Sequence, residues 1–225
     1  MVFSDDLLFI HVPKTAGMAV SDALLRTLPA PVYYAVQAGH ATEDPALLAR
    51  GVKVQEGRRH QRLADADEWF TQSGLAHRVA SFRHVLVMVR NPYALEVSRY
   101  HYLRKGHAWD AGRAQELALS GDFAAFVRGS RWWFEFADYY TINGFIPQNL
   151  RILRQESFAL ELESYCRDVG AGELRLKSVN ESRKVAYDEL IDHELEQLIF
   201  AKYRFLFEKG FYARESFARR HRAAV

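Results

Sequence analysis

The sequence predicts a three-layer α/β/α fold with a central parallel sheet, built as one domain over residues 1–225. Two mostly apolar runs, Leu7–Val12 and Val85–Val89, are typical of strands buried on both faces of a parallel sheet. A helical pattern follows each run, and alternating strands and helices indicate this architecture. The 49% hydrophobic content is enough for one full core at this length.

The elements of the first half follow from apolar periodicity and from residues that end helices. Helices are predicted over Met18–Leu28, which two prolines follow, and over Asp65–Ser73. The stretch between them, 35–60, is polar and contains several glycines, so it is predicted to be irregular. After the second strand, another helix is predicted from about Ala94 to Arg104.

The second half is predicted to begin with an insertion over residues 105–135, which contains a short helix near Phe123–Arg128. A third strand is predicted at Leu150–Leu153, followed by a helix over Phe158–Val169. The last long helix is expected from about Asp192 to Glu208, because its apolar residues are spaced for one face.

Charge and composition exclude several functional classes. The 30 basic and 28 acidic side chains are too balanced to favour a nucleic-acid partner. The one cysteine, Cys166, allows neither an intrachain disulfide nor a cysteine zinc site, and it is predicted to lie in the core. No run approaches the ~18 apolar residues of a membrane helix, and the first residues do not resemble a secretory signal. We expect a cytoplasmic protein without a membrane or metal partner.

The loop Pro13–Met18, between the first strand and the first helix, is the most informative segment. Loop N–H groups and a helix N-terminus attract anions, and Lys14 adds a full positive charge. The lysine precedes the glycine, unlike the order in the nucleotide-binding pattern GxxxxGK[ST]. The second strand ends in Arg90 instead of an acidic magnesium ligand. The sequence therefore predicts a metal-free phosphate site.

A second pair of candidate anion ligands follows the second strand. Arg90 can bind a phosphate group through two parallel N–H bonds. Ser98, eight residues later in the predicted helix, offers a hydroxyl. Ligands bind beyond the carboxyl ends of parallel strands, so Lys14 and Arg90 are expected at the same edge of the sheet.

Together these segments resemble the sulfotransferases that use 3′-phosphoadenosine-5′-phosphosulfate (PAPS), which have a P-loop-like fold. The resemblance is to the carbohydrate members of the heparan-sulfate 2-O type and to their bacterial relatives. The loop His11–Met18 resembles the family's 5′-phosphosulfate loop, Arg90 and Ser98 match its 3′-phosphate motif, and residues 179–212 resemble its closing segment. Met18 departs from the family, which usually has a hydroxyl residue at that position, and so does Leu95, where an arginine is common.

The resemblance implies in-line transfer of a sulfuryl group from PAPS to a hydroxyl acceptor, a carbohydrate, with adenosine 3′,5′-bisphosphate (PAP) as product and no metal. Lys14 is implied to be catalytic, as the cation on the leaving phosphate. The implied donor ligands are Pro13, Lys14, Thr15, Ala16, Gly17, Met18, Arg90, Ser98 and Lys184. Two other functions remain open: a P-loop-type nucleotide kinase or NTPase, and an inactive relative that binds PAP or a glycan.

The general base is implied to lie between the two phosphate motifs. His60 is the first candidate, because an imidazole with a near-neutral pKa suits proton transfer. His40 and Glu56 are the alternatives. His11 is expected to be structural.

Two further groups of residues have both a binding and a structural interpretation. The basic residues Arg58, Arg59 and Arg62 fit either an anionic acceptor or a solvated face. The aromatic cluster fits either stacking on a sugar or adenine ring or burial in the core, and comprises Trp132, Trp133 and Phe134.

Overall fold

The computed structural model describes residues 1–37, 44–106, 112–169, 171–174 and 187–217. The chain divides into two compact units, one of Met1–Val89 with Ala137–Asn180 and one of Arg90–Phe136 with Glu181–Val225. The single domain over residues 1–225 stays a prediction.

The first unit contains a six-stranded sheet. Its strands are β1 (Val2–Phe3), β2 (Leu7–Ile10), β3 (Val32–Val36), β4 (Val52–Glu56), β5 (His84–Val89) and β6 (Leu150–Arg154). They lie in the order β4-β3-β1-β2-β5-β6. The pairs β2–β5, β5–β6 and β3–β4 are parallel, whereas the two-residue β1 is antiparallel to both β2 and β3. The predicted parallel sheet is therefore confirmed, with one short antiparallel strand that was not predicted.

The helices of the described residues are spread over both units. They are α1 (Gly17–Thr27), α2 (Pro45–Ala49), α3 (Ala66–Gln72), α4 (Pro92–Arg104), α5 (Arg113–Leu119), α6 (Phe123–Gly129), α7 (Ala137–Tyr140), α8 (Phe158–Asp168), α9 (His193–Lys202) and α10 (Arg204–Glu208).

Helices cover both faces of the sheet within the first unit, as a three-layer fold requires. On one face, Leu24 of α1 and Leu162 of α8 join Phe9 of β2 in one buried cluster. On the other face, the ring of Phe70 in α3 lies edge-on to Phe3 of β1, at 5.2 Å between ring centroids. All of β5 is buried, as a central strand should be.

The prediction of an irregular segment over residues 35–60 is wrong where β3, α2 and β4 form. Residues 32–36 are apolar or aromatic, and they begin directly after the two prolines that follow α1. β4 is an edge strand, so it carries the exposed Lys53 and Glu56 and lacks the continuous apolar run that marked β2 and β5.

The helix predicted over residues 192–208 is also wrong, because α9 and α10 are separate helices that meet at Tyr203. This tyrosine is fully buried, and its hydroxyl donates to Glu96 of α4 at 2.5 Å. Lys202 donates to the same buried carboxylate. A polar contact between α4 and the α9–α10 junction is invisible to apolar periodicity, so the break could not be predicted from it.

Cys166 lies in the core of the first unit, as predicted, and burial raises the pKa of its thiol. No described helix has both the length and the apolar content needed to cross a membrane. Within the same residues, no group of three or more His, Cys, Asp or Glu side chains is arranged to hold a metal ion.

Candidate active site

The loop between β2 and α1 has a strained backbone. Lys14 and Ala16 both have positive φ angles, 64° and 65°, on either side of Thr15. Residues with a β-carbon rarely adopt this left-handed conformation, which costs roughly 1–2 kcal/mol each. Left-handed residues within such turns direct successive N–H groups into an anion-binding concavity. The order of strand, loop and helix is the one that the sequence predicted, and the role of the loop as a phosphate site stays a prediction.

The N-terminus of α1 has neither a side-chain cap nor an acidic residue in its first turn. Ala16 occupies the N-cap without a side-chain hydrogen bond, and no acidic residue lies in the first turn. The Ala16 carbonyl accepts from the N–H groups of Ala19 and Val20, which begins the helical bonding after Gly17 and Met18. The partial positive charge of the helix N-terminus is therefore available to an anion.

The side chain of Thr15 stabilises the loop through a hydrogen bond to the loop backbone. Its side chain is buried, and its hydroxyl donates to the carbonyl of Val12 at 2.9 Å. That hydrogen bond uses the hydroxyl proton, so the group that Thr15 can offer an anion is its backbone N–H.

Position 17 has no room for a side chain, because the ring of His11 lies against it. A β-carbon at this position would lie 1.9 Å from Cδ2 and 2.3 Å from Nε2 of His11. The His11 imidazole is buried and therefore occupies the space that any other residue at position 17 would need. The sequence identified Gly17 as a loop residue, but its contact with His11 could not be read from spacing.

His60 lies against His11. The two rings are 4.5 Å apart between centroids, at an angle of 65°, and His60 Nδ1 donates to the His11 carbonyl oxygen at 2.9 Å. These contacts connect the first-choice base to the loop through His11 and Gly17, all within the first unit. His11 contacts both His60 and Gly17, and these contacts are structural.

Burial lowers the pKa of His60 to about 4, and the charge of Arg59 acts in the same direction. Burial also lowers the pKa of His11 well below its usual range. Both imidazoles are therefore neutral at pH 7. Because Nδ1 of His60 donates to a carbonyl, its proton is on Nδ1 and the lone pair is on Nε2. A lone pair on Nε2 is what a general base needs, although a pKa of about 4 makes this imidazole a weaker base than the near-neutral group that the sequence predicted.

The other candidates for the base and the donor ligands have different environments. Glu56 is exposed at the end of the edge strand β4. His40 and Lys184 lie outside the described residues.

The three arginines of the basic cluster after β4 have different surroundings. Arg62 forms ion pairs with Asp65 at 2.6 Å and with Asp138 of α7 at 2.7 Å, so it links two segments of the first unit. Arg58 is exposed. Arg59 is half-buried, and its Nε is buried without a hydrogen-bond partner among the residues described.

Arg90 and Ser98 belong to the second unit. Arg90 precedes Asn91, the N-cap of α4, whose Oδ1 accepts from the N–H groups of Tyr93 and Ala94. The Asn91 Nδ2 donates to Glu215 at 2.8 Å. Ser98 is half-buried one turn beyond Ala94 on the same face of α4. The roles of Asn91 and Glu215 were not predicted from the sequence, although an Asn-Pro pair before a helix is a recognisable start signal.

The two departures from the family pattern have different surroundings. Leu95 is fully buried in α4, so an arginine could not replace it without unpaired buried charge. Met18 is 52% exposed in the first turn of α1, where only its backbone N–H adds to the helix N-terminus.

The aromatic cluster of the second unit is mainly structural. Trp132 donates to the Tyr203 hydroxyl at 2.8 Å, and its ring lies 4.4 Å from the buried Arg99 guanidinium. Phe134 is buried. Trp133 is 55% exposed and is the member of the cluster with a ring accessible to a ligand.

Comparison with known proteins supports the fold. No family model and no curated protein matches the chain. The structure of the mouse sulfotransferase SULT7A1 complexed with PAP is similar, with a TM-score of 0.50 and 12% identity over 89% of this chain and 85% of that one. A sulfotransferase from Alicyclobacillus acidocaldarius has a TM-score of 0.43 and 14% identity, over 92% and 96% of the two chains. The likeness to the mouse protein shows that this chain has the α/β fold found in sulfotransferases.

Proposed function

We propose that this protein is a PAPS-dependent sulfotransferase that acts on a hydroxyl group, with a carbohydrate as the acceptor class. One observation carries the proposal. A strained, lysine-containing loop leads into an uncapped helix N-terminus, and a neutral histidine is connected to that loop through His11 and Gly17. An anion site beside a base is what transfer of an anionic group to a hydroxyl requires.

The loop Pro13–Met18 binds the 5′-phosphosulfate in this proposal. The backbone N–H groups from Lys14 to Met18 and the α1 N-terminus hold its oxygens, while Pro13, which lacks an N–H, fixes the entry to the loop. The Lys14 ammonium group neutralises the charge that develops on the leaving phosphate, and this stabilises the transition state more than the ground state.

Arg90 and Ser98 bind the 3′-phosphate in this proposal, together with Lys184. Support comes from the match to the family motif and from the local structure of α4. A guanidinium forms two parallel hydrogen bonds with a phosphate, and a serine hydroxyl adds a third.

His60 acts as the general base. Its Nε2 accepts the proton of the acceptor hydroxyl as the acceptor oxygen forms a bond to sulfur. The bond between sulfur and the 5′-phosphate oxygen breaks with its electron pair on that oxygen, so PAP leaves. No electrons are gained or lost, and the proton remains on His60 until solvent removes it.

Two cations of the basic cluster and an exposed aromatic ring support the proposed acceptor class. Arg58 and Arg59 are the cations of the basic cluster that are outside the Arg62 ion pairs, and they suit a carbohydrate with carboxylate or sulfate groups. Trp133 offers an exposed ring for a sugar face.

Calorimetric titration with PAP, and separately with ATP plus magnesium, tests the donor class. We expect PAP to bind and Lys14→Ala to weaken it at least about tenfold, since a charge-assisted contact is lost. Lys53→Ala, which removes an exposed lysine from the edge strand β4, is the matched control and should leave PAP affinity unchanged. Binding of magnesium–ATP without PAP binding would favour the kinase or NTPase alternative instead.

A further inference from the structure

We propose that Tyr139, braced by the Asp138–Arg62 ion pair, is a positioning residue that holds the segment carrying His60 in its catalytic place. The inference rests on the proposed role of His60 as base. It concerns α7, a single helical turn that sequence analysis did not single out.

Three consecutive residues of α7 each bind a different part of the first unit. Asp138 accepts from Arg62 at 2.7 Å. The Tyr139 hydroxyl donates to the backbone carbonyl of His60 at 3.2 Å. The Tyr140 hydroxyl donates to the backbone carbonyl of Met88 in β5 at 2.9 Å. The helix turn therefore fixes the base segment relative to the central strand.

The base segment depends on such contacts because it is not part of a strand or an α-helix. Residues 57–62 lie between β4 and the 3-10 turn at Leu63–Asp65. The His60 ring is held at Nδ1 by the His11 carbonyl, and its backbone is held by Tyr139. The two bonds act on opposite ends of the residue, so together they restrict both the ring position and the direction of Nε2.

The Arg62 ion pairs reinforce the same contact. The guanidinium binds Asp65 through Nε and Asp138 through Nη1, so it joins the 3-10 turn to α7 two residues after His60. Tyr139 is fully buried. A carbonyl left without a hydrogen-bond donor in buried surroundings costs free energy, so the contact between the Tyr139 hydroxyl and the His60 carbonyl is favoured. Tyr139→Phe would leave the His60 carbonyl without this donor while preserving the ring that fills the core.

Tyr140 provides a matched control within the same helix turn. It is equally buried, and its hydroxyl also donates to a backbone carbonyl, but that carbonyl belongs to Met88. Tyr140→Phe therefore removes a similar buried hydrogen bond without touching the His60 segment.

The kinetic test compares Tyr139→Phe and Tyr140→Phe, each in the wild type and in the His60→Ala background. We expect Tyr139→Phe to lower kcat about tenfold, with the donor KM changed less than about twofold, because misplacement of a base slows chemistry more than binding. In the His60→Ala background, Tyr139→Phe should have no further effect on the residual rate. Equal losses of kcat in Tyr139→Phe and Tyr140→Phe would overturn the proposal. So would a loss from Tyr139→Phe that is the same with and without His60.

An NMR titration of the His60 imidazole separates this inference from the proposed function. Tyr139→Phe should move the His60 pKa up towards its usual range, because a loosened segment gives the ring more solvent, whereas Tyr140→Phe should leave it unchanged. An unchanged His60 resonance and pKa in Tyr139→Phe would refute the positioning role even in an active enzyme. Absence of sulfuryl transfer in a protein whose His60 responds as expected would refute the proposed function alone.

Discussion

At the scale of single residues, the pair Gly17 and His11 determines the geometry of the loop. The ring of His11 fills the space that a side chain at position 17 would need, and the ring of His60 packs against the His11 ring. The absence of a side chain at position 17 therefore leaves room for His11 and for the contact that His11 makes with His60, the proposed base.

Replacement of Gly17 tests this arrangement. Gly17→Ala must displace His11, so we expect the free energy of unfolding to fall by about 1–3 kcal/mol, as for other overpacked sites, and PAP affinity to fall with it. Gly129→Ala is the control, because there the new β-carbon meets only the flexible end of Leu117. Urea unfolding and calorimetry measure the two effects. A Gly17→Ala protein with wild-type stability and PAP affinity would contradict the steric account.

The lowered pKa of His60 predicts a pH-dependent stability. The unfolded state binds a proton near pH 6.5 and the folded state only near pH 4, so the unfolded state holds more protons between these values. The contribution of neutral His60 to the free energy of unfolding is therefore fully present above about pH 6.5 and is lost as the pH falls towards 4. From pH 7 to pH 5 the contribution of His60 is on the order of 2 kcal/mol.

Urea unfolding at pH 7 and pH 5 measures this contribution. His60→Gln cannot be protonated, so its free energy of unfolding should fall less between the two pH values than that of the wild type. His11 changes stability in the same direction, and the charge of His60 is one cause of its lowered pKa, so the comparison measures the direct effect of His60 together with its effect on His11. An identical pH dependence in both proteins would mean that His60 is not held neutral by burial.

At the scale of elements, the N-terminus of α4 is held by Asn91. Its side chain caps the helix and also binds Glu215, which in turn accepts from the Tyr187 hydroxyl. The residue directly before Asn91 is Arg90, so these contacts fix the start of the segment proposed to bind the 3′-phosphate.

Asn91→Ala removes both the cap and the bond to Glu215. We expect the free energy of unfolding to fall by about 1–2 kcal/mol and PAP affinity to fall several-fold, because Arg90 loses its fixed neighbour. Asp192→Ala is the matched control, since it removes the cap of α9, where the side chain accepts from Leu195. It should cost similar stability and leave PAP affinity unchanged. Equal effects of the two variants on PAP affinity would contradict a specific role for Asn91.

Elements whose signal is local were predictable from the sequence. β2, α1, β5 and α4 appear as an apolar run followed by a helical pattern, and the loop after β2 carries its chemistry in consecutive residues. β1 and the edge strand β4 were missed because two residues, or an alternating polar edge, give no distinctive period. β3 was missed because its apolar run adjoins the polar stretch 35–60.

The parts of the site that depend on long-range contacts were not predictable. His60 touches a residue 49 positions earlier, and Tyr139 binds it from 79 positions later. Neither spacing has a periodic signature. His60 itself was identifiable only through the family resemblance. The contact between His11 and Gly17 could not be predicted from the sequence and is seen only in the structure.

At the scale of the whole molecule, the candidate groups are divided between the two compact units. The first unit contains the loop and His60, and the second contains Arg90 and Ser98. The proposed donor has two phosphate groups, one for each set of ligands. A measurement with the complete donor therefore tests the account more directly than any measurement on one group.

The most direct measurement is the release of PAP from PAPS in the presence of polysaccharides with free hydroxyl groups, with PAP binding measured alongside. We expect acceptor-dependent release of PAP by the wild type. His60→Ala should lower that release at least about a hundredfold, to a small residual rate, while its affinity for PAP stays within about twofold, because a base acts on the acceptor and not on donor binding. Release that survives unchanged in His60→Ala would contradict the role of His60. A wild-type protein that binds PAP tightly and releases none from PAPS with any acceptor would contradict the central claim.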